Sequence, residues 1–292
     1  MSYTCQSETG KIKTVYIKRA ADAFLDEGTI REQWATLNFL DKPVLGNAIA
    51  EYAIFESLLA HGGTEIHTFP QDPALSMDSI YCRDAAIATD RGIILCNMGK
   101  PARAGEPAAQ GKTFIAAGLT ILGTIKAPGT VEGGDVAWLD EHTLAVGHTY
   151  RTNQEGIRQL TALVAPLGVT VLPVHLPHYK GPGDVFHLMS ILSPVDKDLA
   201  VVYSPLMPIV FRNGLLDRGY TLIEVPAAEW DSMGCNVLAL GPRECLMVAG
   251  NPQTGAALEA AGCIVHTYAG SDISVKGGGG PTCLTRPLWR ER

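Results

Sequence analysis

The sequence carries little charge, and none of it is gathered in one place. Asp, Glu, Lys and Arg make up 18% of its 292 residues, and no basic run occurs. A protein that binds nucleic acid or an anionic membrane surface concentrates Lys and Arg, so neither partner is expected. The formal net charge of −7 fits a cationic small substrate instead. No stretch of 18 apolar residues exists, and the apolar segments 160–176 and 199–210 are broken by Pro, Gly or polar residues. No membrane span is therefore expected. The N-terminal MSYTCQSETGKIKT has no apolar signal core. The seven cysteines are an odd number with no CxxC pair and no metal-finger spacing, which predicts a reduced, cytoplasmic protein with mostly buried thiols. No Ser-, Gly- or Pro-rich linker divides the chain, so one domain spanning residues 1–292 is expected. The apolar 46% can bury a sizeable core.

What the sequence does have is a recurring junction. A helix-like stretch ends at Gly and an extended apolar stretch follows, in HGGTEIHTFP, AAGLTILGTI, PLGVTVLPVH, DRGYTLIEVP and AAGCIVHTYA. The glycines are Gly62, Gly118, Gly168, Gly219 and Gly262, spaced by 56, 50, 51 and 43 residues. Gly can take the left-handed conformation that closes a helix. Before the first junction, Ile49, Ala53, Phe55, Leu58 and Leu59 sit mostly at helical spacing behind Asn47, a candidate N-cap. Ile157, Leu160, Val164 and Leu167 repeat before the third, and Asn251 with Pro252 reads as N-cap and N1 before the fifth. Further strands are expected at 14–18, 86–89, 92–96, 199–203 and 245–249. On period alone, an ordinary doubly wound α/β domain competes with five αβ units around a pseudo-fivefold axis. The second arrangement is favoured.

Polar clusters follow the repeat strands: DSIYCRD (78–84), TVEGGD (130–135), GDVFHLMS (183–190) and KGGGGPTCLTR (276–286). Strand ends facing one axis would bring them together, and a cysteine, a histidine and carboxylates in one pocket are the parts of a thiol-nucleophile site. Cys96, Cys245 and Cys263 lie in apolar runs and read as core. Cys283 follows four glycines and a proline, a backbone able to approach a ligand closely, although a flexible loop that happens to hold a Cys has the same composition. Cys82 and Cys235 are lesser candidates. His187, between Phe186 and Leu188, is either an acid/base or a satisfied core histidine. His175 and His178 flank Pro177, which breaks the helix that would aim both at one metal ion. Glu132 and Asp135 flank two glycines, either as a turn or as the acid of a Cys–His–acid triad. Asp84 precedes an apolar run and needs a cationic partner, either an arginine or a substrate.

At RD (83–84), Arg103, EGGD (132–135), Arg151, FHLMS (186–190) and GGGGPTC (277–283) the sequence resembles the guanidino-group-modifying superfamily. It is most similar to the branch of dimethylarginine dimethylaminohydrolases, arginine deiminases and amidinotransferase-family proteins. The resemblance implies the pentein fold, a fivefold αβ propeller, with no metal and no cofactor. It implies Cys283 as nucleophile on the guanidinium carbon and His187 as the acid that protonates the departing amine and later activates water. Glu132 would hold His187 and the guanidinium, and Asp84 would bind guanidinium nitrogens. Arg103 and Arg151 would clamp an α-carboxylate, Asp78 the α-amino group, and Asp135 would join the substrate contacts. The partner implied is a small guanidino amino acid, and a homodimer is kept as an option.

Arginine deiminases usually carry H-x-D at the catalytic histidine, where this chain has Met189. An apolar side chain suits N-methyl groups better than N–H donors, which favours hydrolysis of Nω,Nω-dimethyl-L-arginine to citrulline over deimination. Arg83, in contrast, looks deiminase-like. Amidino transfer, a zinc protein using His175 and His178, and a non-catalytic ribosome-binding pentein are the other readings. Segment TLNFLDK (36–42) is a candidate lid.

Overall fold

A computed structural model describes residues 2–292. Its strands form five three-stranded sheets of one design, and a small two-stranded sheet of Tyr3–Thr4 with Arg290–Glu291. In each unit two antiparallel strands are followed by a helix, and a third strand returns parallel to the second. The second unit illustrates it: Ala86–Thr89 and Gly92–Leu95 form the hairpin, Glu106–Ala116 is the helix, and Ile121–Thr124 returns. The third runs Val136–Asp140, Thr143–His148, Gln154–Val164 and Thr170–His175. The fourth runs Leu192–Asp196, Leu199–Val202, Ile209–Asp217 and Thr221–Glu224. The fifth runs Val237–Gly241, Glu244–Val248, Pro252–Ala260 and Ile264–Tyr268. The first unit is built from both ends of the chain. Thr285–Pro287 pairs antiparallel with Thr14–Ile17, which is followed by the helix Leu45–Ala60 and by Glu65–Thr68. This is the pentein fold, a pseudo-fivefold αβ propeller.

Burial explains the apolar pattern. The first strand of units two and five is buried at every residue, whereas the returning strands are half exposed, as in Ile121–Thr124 and Glu65–Thr68. Inner strands therefore read as continuous Val, Leu, Ile and Ala, and outer ones as mixed. Each fully buried aliphatic side chain there is worth about 1.5–3 kcal/mol.

The glycine junctions have the expected backbone at Gly118, Gly168, Gly219 and Gly262, with φ between +74° and +85°. In the first unit the left-handed residue is Gly63 (φ 76°), so the expectation at Gly62 is off by one. Two glycines in a row hide which one turns. Asn47 is not an N-cap either: the helix starts at Leu45 behind Val44, and its buried face is Ala48, Tyr52, Phe55 and Leu59. Ile49, expected on that face, is 43% exposed. Asn251 and Pro252 occupy N-cap and N1 as the sequence predicts. Among the described residues, no helix is long and apolar enough to cross a membrane.

Candidate active site

The clusters singled out in the sequence lie immediately before the inner strands. Asp84 precedes Ala86–Thr89, Glu132 and Asp135 precede Val136–Asp140, and His187 precedes Leu192–Asp196. Asn236 precedes Val237–Gly241, and Cys283 precedes Thr285–Pro287. Each unit thus delivers one segment to one end of the axis. A cavity of about 150 Å³ opens there, and Asp84, His187, Met189, Asn236 and Cys283 all line it.

Cys283 is the one cysteine that is not fully buried; the other six lie in the core. Asn236 Nδ2 approaches its Sγ at 3.5 Å and Thr282 Oγ1 lies 3.8 Å away. Burial, with the nearby Asp84 carboxylate, pushes the Cys283 thiol up, and the Thr282 and Asn236 contacts only partly oppose this. The resting group is a neutral thiol. Cys82 is held against the carbonyls of Tyr16 and Leu284, and burial pushes its thiol up to about 12. Cys235 also lines the cavity, but burial raises its thiol strongly.

His187 Nε2 lies 2.8 Å from Glu132 Oε2, and both residues are buried. Burial by itself disfavours the imidazolium, but the Asp135, Asp84 and Glu132 carboxylates outweigh it and raise His187 to about 9. Glu132 moves the other way: burial raises it, while His187 and Arg151 pull it down to about 2. Glu132 also accepts from the Lys100 backbone N–H (2.9 Å) and from Arg151 Nη1 (3.1 Å). It is not among the residues that line the cavity. It stands behind His187 and supports its ring, with its carboxylate still within 4.8 Å of the donor atoms of Asp84 and His187.

The loop holding Glu132 needs its glycines. Gly134 N–H donates to Asp84 Oδ1 at 2.8 Å, and a Cβ on Gly134 would overlap the His187 ring. Asp84 Oδ2 accepts from Arg103 Nη1 at 2.5 Å, so the partner of Asp84 is Arg103 and not Arg83. Arg103 in turn is gripped by Glu106 through two 2.8 Å bonds and donates to the Tyr81 carbonyl at 2.8 Å. Four of its five N–H donors are thereby used. Arg151 lines the cavity beside Arg103. Asp78 is paired with Lys100 Nζ at 2.6 Å, and the same ammonium donates to the Leu37 carbonyl at 2.7 Å.

Asp135 does not line the cavity. It accepts from Thr149 Oγ1 (2.7 Å) and from the Leu188 backbone N–H (3.0 Å), which fixes the start of the helix behind His187. Asp135 thereby braces the segment that carries His187 from behind the cavity wall. Its full burial raises the carboxyl to about 6. His175 pairs with His148 at 3.1 Å, and His178 lies 2.6 Å from Tyr150 OH, so the two are not aimed at a common ion. Donor atoms of Asp84, Glu132 and His187 do lie within 4.8 Å of one another. Arg103 and Arg151 already supply the positive charge in that cluster.

Leu37, Asn38 and Leu40 of the candidate lid line the cavity, and Asn38 Nδ2 reaches the Gly183 carbonyl at 3.3 Å. Sequence reasoning missed Asn236, Lys100 and the aromatic wall of Tyr179, Phe186 and Trp230, where Trp230 Nε1 donates to Tyr179 OH at 2.9 Å. The repeat itself pointed to Asn236, since it stands where Asp84 and Cys283 stand in their units. Nothing in the local sequence marks Lys100.

Comparison with known proteins gives the same direction. A family model described as "N,N dimethylarginine dimethylhydrolase, eukaryotic" matches residues 30–290. An uncharacterized protein of Aeropyrum pernix is 32% identical over 221 residues, covering 73% of each chain. The N(G),N(G)-dimethylarginine dimethylaminohydrolase of Streptomyces coelicolor is 29% identical over 202 residues, 69% of this chain and 70% of that one. Among solved structures, the Pseudomonas aeruginosa DDAH complexed with citrulline superposes with a TM-score of 0.78 at 23% identity, covering 96% of this chain and 99% of that one. That last likeness is one of fold. With residues 30–290 matched and the site residues gathered at the axis, the chain belongs to the N,N-dimethylarginine dimethylhydrolase family and is a hydrolase of C–N bonds in linear amidines.

Proposed function

We propose that this enzyme cleaves the guanidino C–N bond of an Nω-methylated arginine, with Nω,Nω-dimethyl-L-arginine giving L-citrulline and dimethylamine. The observation that carries the reading is the meeting of Cys283, Asp84 and the His187–Glu132 pair at one cavity. A guanidinium is resonance-stabilised and a poor electrophile. It needs a strong nucleophile and a proton for the leaving amine.

Both are supplied in a consistent order. Asp84 receives the cationic guanidinium through charge-assisted hydrogen bonds. The arriving positive charge offsets the influence that holds the Cys283 thiol protonated, so thiolate forms when substrate is bound. Sulfur attacks the guanidinium carbon. His187, cationic at neutral pH, protonates the departing dimethylamine, and a Cys283-bound thiouronium remains. Neutral His187 then takes a proton from one water molecule, which attacks the same carbon and releases the thiol and the urea product. A positioned acid/base of this kind contributes about 10²–10⁴ in rate. Arg103 and Arg151, paired with Asp84 and Glu132, are the cavity guanidiniums that would take the substrate carboxylate.

Met189, buried at the cavity wall, offers a surface for methyl groups and no acceptor for N–H₂. Arg83, the deiminase-like feature, does not line the cavity, so it does not bear on the choice between methylated and free arginine. The test is an assay of dimethylarginine, monomethylarginine and arginine separately, quantifying citrulline, methylamines and ammonia, with Cys283→Ser as control. Citrulline with dimethylamine, lost in the variant, is the expected result. Ammonia from arginine alone would establish a deiminase and overturn the role given to Met189.

A further inference from the structure

Arg83 and Asp84 are neighbours whose side chains part company. Asp84 faces the cavity, whereas Arg83 Nη2 donates to Glu8 Oε1 at 2.6 Å and to the Val136 carbonyl at 3.3 Å. Two further arginines are buried with it. Arg286 Nη2 donates to the Arg83 carbonyl at 2.6 Å, and Arg290 Nη1 donates to the carbonyls of Gly10 (2.6 Å) and Ala239 (2.8 Å). The charges of Glu8, Arg83 and Arg286 all act on Arg290. Arg83, Arg286 and Arg290 are 2%, 6% and 1% exposed, and Glu8 is 8% exposed.

The charge does not balance. Three guanidiniums face one carboxylate. Burial brings Arg286 and Arg290 down only to about 10, so both remain cationic at neutral pH, and a guanidinium such as that of Arg83 does not give up its proton in proteins. An uncompensated buried charge is strongly destabilising even after relaxation. The hydrogen bonds do not balance either: Arg83 Nε, Arg286 Nε, and Arg290 Nε and Nη2 are buried without a protein partner. Water could accept from these donors but would leave the excess positive charge in place.

We propose that Arg83, Arg286 and Arg290 form a binding site, separate from the catalytic cavity, for one small monovalent inorganic anion of halide size. The anion takes the unpartnered guanidinium nitrogens and, with Glu8, neutralises most of the cluster. Glu8 closes the site from the N-terminal segment, where Cys5 N–H and Thr4 Oγ1 are anchored on Asp90. That segment precedes the residues 30–290 shared with the family. The site therefore joins a closure from the N-terminal segment to two arginines next to the cavity segments, since Arg83 adjoins Asp84 and Arg286 lies three residues after Cys283.

The test is thermal unfolding of the full-length protein in chloride from 1 to 100 mM, with gluconate holding ionic strength constant, together with a bromide-soaked crystal. A ligand that binds only the folded state raises Tm with its concentration, here by about 2–4 °C per tenfold once the site is filling. An anomalous bromide peak among the three guanidiniums, and a chloride response weakened in Arg290→Met, are expected. Glu8→Gln, which removes the closing carboxylate, should steepen the response. It also decides the matter if Arg290→Met fails to fold. A flat Tm, no bromide peak at the cluster, or an Arg290→Met response equal to wild type would overturn the proposal and leave water or an exposed site as the explanation.

Discussion

His187 and Glu132 shift each other in opposite directions, and this sets the pH behaviour of the enzyme. His187 is raised to about 9, so its share of stability is complete below its ordinary value of 6.5 and is lost as pH rises through about 9. Glu132 is lowered to about 2, so its share is present above 4.5 and is lost as pH falls toward about 2. The catalytic consequence belongs to His187. Under the proposed mechanism the leaving amine takes its proton from the imidazolium, so kcat/KM should fall above about pH 9. Glu132→Gln removes one of the carboxylates that raise His187 and should move this alkaline limb to lower pH, with a loss of at least tenfold in kcat. A variant profile that superimposes on wild type would contradict the assignment. Legibility at this scale was uneven. Cys283, His187 and Asp84 were readable because chemistry restricts which residue types can serve. EGGD does not reveal that both of its acids, Glu132 and Asp135, sit behind the cavity wall. Lys100 was missed because its importance lies in a long flexible reach to Asp78 and Leu37 that no neighbouring residue encodes.

Elements contribute through the short segments before the inner strands. The EGGD turn is the most constrained of these, because Gly134 passes against His187 and Asp84 at once. Gly134→Ala should lower kcat by about a hundredfold through displacement of His187, and should cost about 1–3 kcal/mol in overpacking. Gly255→Ala is the matched control, since a Cβ in the helix Pro252–Ala260 meets nothing within 4 Å. It should stabilise by up to about 1 kcal/mol and leave activity intact. Circular dichroism melts and steady-state rates on both variants decide this; a fully active Gly134→Ala would show that the turn has room it should lack. Helix ends were legible where one glycine closes them, as at Gly118 and Gly262, and ambiguous at the Gly62–Gly63 pair. The helix face before them was misread because Leu45–Ala60 is apolar nearly all round, so period could not single out Ala48 and Tyr52 as the buried stripe.

The whole molecule is a ring closed by its own ends. Thr285–Pro287 completes the first unit against Thr14–Ile17, which sets Cys283 at the same point of the repeat as Asp84, His187 and Asn236. The fivefold period was visible in the junction glycines, but the closure was not, since pairing across some 270 residues leaves no trace in local composition. It is this closure that brings Cys283 from the last segment to the cavity that His187, from the middle of the chain, also lines. The direct test of that arrangement is mass spectrometry of the protein quenched during turnover of Nω,Nω-dimethyl-L-arginine. The peptide carrying Cys283 should gain the mass of the substrate less dimethylamine, and the adduct should decay to free thiol as citrulline forms. Citrulline production with no such adduct, or with the adduct on another cysteine, would contradict the account.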